Sequence, residues 1–161
     1  MAPLPPGVDP AALNSDPPRP RFAAPAFSGR RPNGEPWTSA ELVSDRPTLL
    51  LFLGPDCDGC LPFFAAAADP VSAGLTDGEA VVLFLRDGAG DVLERCAEGV
   101  DVVLGVEPFD ALRVVGKPFF VVLEQGVVLT EGVCFGLDQV RSHLRHARDG
   151  AGVTVIRLDE P

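Results

Sequence analysis

A single α/β domain, with a central mixed β-sheet flanked by helices, is the fold class this sequence predicts, and three observations predict it. Near-continuous apolar runs at residues 48–53 and 80–85 have the length of strands buried on both faces. Helical patterns separate these runs from each other and from shorter apolar stretches, the alternation that builds an α/β sheet. Towards the C-terminal end, residues 119–123 and 127–133 flank Glu124-Gln125-Gly126, a hairpin signal that makes part of the sheet antiparallel. With 161 residues, 46% hydrophobic and 22% charged, the chain is long enough for one core and too short for two domains.

The elements follow in order. Ten of the 17 prolines lie in the first 36 residues. Proline fixes φ and removes a backbone donor, so residues 1–21 read as an extended, disordered arm before a single domain over residues 22–161. Asn33-Gly34 is a tight-turn signal between Phe27 and Trp37, which predicts a small N-terminal hairpin. Thr38 followed by Glu41 has the spacing of a helix start with Thr38 as N-cap. Pro47 and Gly54 bound the first buried strand. A helical stretch follows Cys57 as far as about Ala68, where Asp69-Pro70 stops it, with a kink expected at Pro62. Residues 80–85 are the second buried strand. Val92, Leu93 and Cys96 share one face of a short helix over residues 91–97; residues 102–104 make a short strand and 109–114 a helical turn. After the hairpin, residues 137–147 form an amphipathic helix ended by Asp149-Gly150, and residues 153–158 read as an added edge strand.

Charge and composition exclude several function classes. Acidic residues number 23 against 13 basic ones, a net charge of −10. A nucleic-acid footprint needs clustered positive charge and an anionic membrane surface repels this chain, so neither is an expected partner. No apolar run reaches the roughly 18 residues of a membrane span. The start of the chain has no basic stretch leading into an apolar one, which predicts a cytoplasmic protein. Without a glycine-rich phosphate loop, no nucleotide or flavin cofactor is expected.

The chemistry is concentrated in Cys57-Asp58-Gly59-Cys60. Cys57 comes after a buried strand and before a helix, which puts it at the helix N-terminus with Cys60 one turn along the same face, within disulfide reach. First-turn amides have no intrahelical partner and the helix end carries partial positive charge, so a Cys57 thiolate is favoured there. The thiolate is the attacking species in disulfide exchange. Cys57 is therefore the candidate nucleophile and Cys60 the residue that resolves the mixed disulfide. Asp56 and Asp58 disfavour ionisation of Cys57; Lys117, the single lysine, offsets them if the fold brings it close. The expected couple is moderately nucleophilic and fairly reducing. A zinc site would need His143 and His146, some eighty residues away and not at a finger spacing, so no metal is expected.

These residues are similar to a known family. Phe27, Asn33-Gly34-Glu35-Pro36-Trp37, Glu41-Leu42, Arg46-Pro47-Thr48-Leu49-Leu50-Leu51-Phe52-Leu53 and the CxxC resemble thioredoxin-like redoxins of the TlpA/ResA type. Val114-Val115-Gly116-Lys117-Pro118-Phe119-Phe120 and the strand after it resemble that family's cis-proline segment and closing hairpin. The resemblance covers about residues 22–148. It implies a thioredoxin-like fold with an N-terminal hairpin extension and dithiol–disulfide exchange with a disulfide- or dithiol-containing protein. By position, Pro118 matches the cis-proline that faces the CxxC and holds the substrate chain, and Lys117 matches the residue before it, where the family usually has an uncharged one. Asp56 replaces the usual aromatic before the first Cys. Leu51 stands where thioredoxins keep a buried acid, which leaves Cys60 without an obvious proton acceptor and Glu124 as a weak substitute.

Two other readings compete. In one, the chain is a thioredoxin-fold binding or assembly module whose CxxC is structural. In the other it reduces peroxides, but Gly54 stands where that pattern needs Thr or Ser. Cys96 and Cys134 read as small buried apolar residues, with a Cys96–Cys134 disulfide as the alternative. Phe52, Phe63, Phe64, Phe119 and Phe120 read as core, Phe64 or Phe119 being the ones able to rim a substrate groove. Nothing in the sequence decides whether Trp37 packs or is exposed.

Overall fold

The computed structural model describes residues 21–42, 46–55, 57–87 and 100–150. In chain order these form β1 (Phe22–Ala23), β2 (Ser28–Arg30), β3 (Pro36–Thr38), a 3-10 helix (Ser39–Leu42), β4 (Thr48–Phe52), a 3-10 turn (Asp58–Cys60), α1 (Leu61–Ala67), β5 (Ala80–Leu85), β6 (Asp101–Leu104), α2 (Glu107–Ala111), β7 (Phe119–Glu124), β8 (Val127–Val133) and α3 (Leu137–Gly150). The expected arm, the helix at 91–97 with Cys96, and the edge strand at 153–158 lie outside the described residues, as does Asp56.

The strands make one sheet in the order β1-β8-β7-β4-β5-β6-β2-β3. β4, β5 and β6 are parallel, and β7 runs antiparallel to β4. The sheet is mixed and the fold is α/β and thioredoxin-like. Only residues 24–27 join β1 to β2, although five strands lie between them. Four residues reach far less than six inter-strand spacings of about 4.8 Å, so the sheet curls around the face they cross.

The alternation of side chains along each strand builds two cores. Leu49, Leu51, Leu83, Phe120 and Val122 face α1 and α3, where Phe63, Val140 and Leu144 cover them. Leu50, Phe52, Phe84, Phe119 and Val121 face the hairpin and α2, under Phe27, Trp37 and Phe109. Phe52 stacks on Phe84 at 4.6 Å and Trp37 meets the same ring edge-on at 5.6 Å. Each such side chain contributes about 1.5–3 kcal/mol by burial.

The hairpin over Asn33-Gly34 forms as expected, with β2 and β3 paired and the Glu35 amide donating to Asn33 Oδ1 at 3.0 Å. Glu41 reaches back to the Thr38 amide at 3.4 Å, half of a capping box, but the helix it starts is a single 3-10 turn. The second hairpin turns through Gln125 and Gly126, with φ of 51° and 78°, the paired positive φ of the turn that matches strand twist. Pro62 produces no kink. It lies in the first turn of α1, where an amide would have no helical partner. The helical turn expected at 109–114 starts earlier, at Glu107, with Pro108 in its first turn, and ends at Ala111.

Candidate active site

β4 ends beside β5, where the Leu53 amide still donates to Phe84 O at 3.0 Å. The chain then leaves the sheet through Gly54 and Pro55. Cys57 is extended, with φ −106° and ψ 112°, and caps the 3-10 turn; the Cys60 amide donates to Cys57 O at 3.1 Å. Cys60 is in turn the N-cap of α1. The CxxC therefore makes a turn of its own rather than the first turn of a long helix. The Cα atoms are 5.2 Å apart, inside the usual window, and the two sulfurs form a disulfide. The pair is asymmetric. Cys57 is half-buried, whereas Cys60 is 0% exposed among Leu51, Phe63 and Phe64.

A non-local segment closes the site. The Lys117–Pro118 peptide is cis. A methyl group built on Gly59, between the two cysteines, would lie 3.3 Å from Pro118 Cδ, so the proline ring faces the CxxC at contact distance. Pro118 O accepts a hydrogen bond of 2.8 Å from the Cys134 amide, which ties the proline to the strand beside it. Lys117 also lies across this site. A methyl on Gly54 would meet its Nζ at 2.8 Å and its Cδ and Cε at 3.2 and 3.3 Å. All four sequence-selected residues, Cys57, Cys60, Pro118 and Lys117, are brought together.

Other expectations resolve as follows. Cys134 is a free, buried thiol, its pKa pushed up to about 12 by burial; Cys96, the partner considered for it, lies outside the described residues. Leu51 is buried in the cluster that holds Cys60, which makes the surroundings of that sulfur apolar. Glu124 is a hairpin residue at the far end of β7, six residues beyond Pro118, so it is no proton acceptor for Cys60. Phe64 and Phe119 are buried at 4% and 3% and rim no groove. His143 packs against the Phe120 ring at 5.0 Å.

Sequence reasoning missed three exposed apolar residues on the segments that carry or close the CxxC. Leu61, next to Cys60, is 47% exposed, and Val115 and Phe135 are each 86% exposed. Val115 precedes Gly116, which packs towards Val133; Phe135 follows Cys134, the partner of Pro118. Gln139 fixes the Phe135 loop, accepting from the Phe135 amide and donating to Val133 O at 3.2 Å. A phenylalanine is thus held in solvent on a pinned backbone. No periodic pattern marks a loop residue for exposure, so no sequence signal pointed to it.

No family model matches the chain, and no curated protein matches it. Solved structures do. The chain is similar to a secreted Mycobacterium tuberculosis disulfide oxidoreductase homologous to Escherichia coli DsbE, at 14% identity and TM-score 0.55, over 74% of this chain and 95% of that one. It is similar to a putative thiol:disulfide interchange protein DsbE from Chlorobium tepidum, at 21% identity and TM-score 0.58, over 78% and 94%. StoA from Bacillus subtilis matches at 16% identity and TM-score 0.54, over 74% and 96%. These likenesses establish the fold, and they run to the kind of redoxin that the sequence resembles. The first of these proteins is secreted, so the comparison gives no support to the cytoplasmic placement expected from the start of the chain. Among the described residues, no helix is long and apolar enough to cross a membrane.

Proposed function

We propose that the protein is a thiol–disulfide oxidoreductase that exchanges the Cys57/Cys60 dithiol with disulfides of a partner protein. The observation that carries this reading is the asymmetric cysteine pair, half-buried Cys57 bonded to fully buried Cys60, facing cis-Pro118. In the reducing direction, the Cys57 thiolate attacks one sulfur of the substrate disulfide. A Cys57–substrate bond forms, the substrate S–S bond breaks and the second substrate sulfur leaves as a thiolate that takes up a proton. Cys60 then loses its proton and attacks Cys57 Sγ, releasing the first substrate sulfur and leaving the Cys57–Cys60 disulfide. Two electrons pass to the substrate; the oxidising direction is the reverse. Pro118 and Lys117 border the path of the incoming chain, and backbone contact at Pro118 holds it.

A redox titration against dithiothreitol, with thiols alkylated and peptides read by mass spectrometry, tests this. Cys57 and Cys60 are expected to convert together at a potential between about −120 and −270 mV. A pair that stays reduced, or stays oxidised well below about −300 mV, makes the disulfide structural and favours a binding module instead. The apolar setting of Cys60 around Leu51 is the observation on that side.

A protein partner, rather than a small disulfide, suits the exposed Leu61, Val115 and Phe135, since apolar contacts gain by leaving water. Phe135→Ser is expected to raise KM for insulin about fivefold, the loss of roughly 1 kcal/mol of contact, with kcat held. An unchanged KM removes Phe135 from the docking surface.

A further inference from the structure

We infer that Lys117 is the counter-charge of the reduced Cys57 sulfur, and that Gly54 is the gap which admits it. The inference rests on the dithiol reading above for the identity of the reacting sulfur. It starts from what the helix does not supply. Cys57 caps one 3-10 turn, and α1, only seven residues long, begins four residues later at Leu61. Few aligned peptides stand behind the sulfur, and the field of a helix end falls off within a turn. Asp58 in that turn adds a negative charge. A second source of positive charge is needed to favour a thiolate there.

Lys117 is that source. Its side chain runs along Gly54, with Nζ 2.8 Å and Cε 3.3 Å from where a methyl on Gly54 would sit. Gly54 is three residues before Cys57, a span of at most about 11 Å of chain. The next residue, Pro118, contacts the middle of the CxxC. Among the described residues Lys117 makes no ion pair, so no carboxylate there competes for its charge. The other charged groups at this end of the sheet include Arg86 and Asp87, just past β5, Arg30, opposite Leu104 at the end of β6, Glu107, which accepts from the Ser28 amide, and Arg113, in the segment that leads to Lys117. The Arg86 guanidinium is engaged 4.8 Å over the Phe109 ring, on the opposite face from α1. Asp56 carries a further negative charge in the sequence and lies outside the described residues. Lys117 is thus a cation held at the strand end that leads into Cys57, acting on Cys57 as a positioning residue through space.

The test is the iodoacetamide alkylation rate of Cys57 in the reduced protein as a function of pH, read by peptide mass spectrometry. Lys117→Met is expected to slow Cys57 alkylation at neutral pH about three- to tenfold and to move the midpoint of the profile upward. Lys117→Arg keeps the charge and is expected to return the wild-type profile. Gly54→Ala is expected to fall between the two, because the new methyl displaces the flexible end of a side chain rather than backbone. Salt on the order of 1 M shortens the Debye length to about 3 Å and is expected to slow the wild type towards the Met variant. A Lys117→Met profile that superimposes on the wild type overturns the inference, as does a Lys117→Arg profile that stays with the Met variant. If the Met variant loses its fold, a salt-independent wild-type rate overturns it equally. Alkylation needs no partner and no turnover. Its failure is therefore distinct from failure of the exchange reading, which the redox titration decides.

Discussion

Cys57→Ser is expected to abolish insulin reduction by dithiothreitol to the uncatalysed background, a loss of at least about a thousandfold for a nucleophile that works as a thiolate. A serine hydroxyl does not ionise near neutral pH and forms no disulfide with the substrate, so neither half of the exchange remains. Cys60→Ser is expected to behave differently. Cys57 is the accessible sulfur, so the first attack proceeds, but the resolving sulfur is gone and the Cys57–substrate disulfide accumulates as a covalent adduct on a non-reducing gel. Full burial of Cys60 keeps it from substituting as the first nucleophile. The two variants together assign the roles. Wild-type turnover by Cys57→Ser would remove the dithiol from the reaction, and adducts on Cys60 rather than Cys57 would invert the order of attack.

Trp37→Ala is expected to cost about 3–5 kcal/mol, the range for removing a large aromatic side chain from a core. Trp37 is 1% exposed and lies against Phe27 at 5.7 Å and Phe84 at 5.6 Å. Phe84 stacks on Phe52, in the strand that leads to the CxxC. Truncating the indole leaves a cavity that two strands, β4 and β5, cannot collapse to fill without breaking their ladder. A urea titration reads the result as a lower midpoint with an unchanged slope, and thermal melting as a fall of about 10–20 °C. A loss under about 1 kcal/mol would make the N-terminal hairpin an appendage rather than part of the domain.

How much of this was legible in the sequence depends on how local the cause is. The run Thr48 to Phe52 is apolar at almost every position, and only a strand covered on both faces hides all of it, so β4 was readable. Cys57 and Cys60 are three residues apart, and spacing alone puts them within disulfide reach. The Gln125-Gly126 turn follows from which residues tolerate positive φ. Helix boundaries were less readable. Pro62 reads as a kink until the first turn of α1 is known to begin at Leu61, where the same residue is harmless. Whether Trp37 packs has no local signature, because the covering rings of Phe27 and Phe84 come from the residue before β2 and from a distant strand.

The sequence by itself determined the α/β class, the hairpins, the dithiol and its order along the chain, because each depends on periodicity, turn chemistry or a spacing of a few residues. Tertiary structure alone decided what those parts do to one another. The pairing of β7 beside β4 brings Pro118 onto Gly59 and lays the side chain of Lys117 in the space that Gly54 leaves empty, across more than fifty residues of chain. Packing also buries Phe64 and Phe119 and leaves Phe135 in water. Burial and electrostatics are set by distance in space, which falls steeply with separation and carries no periodic trace along the chain.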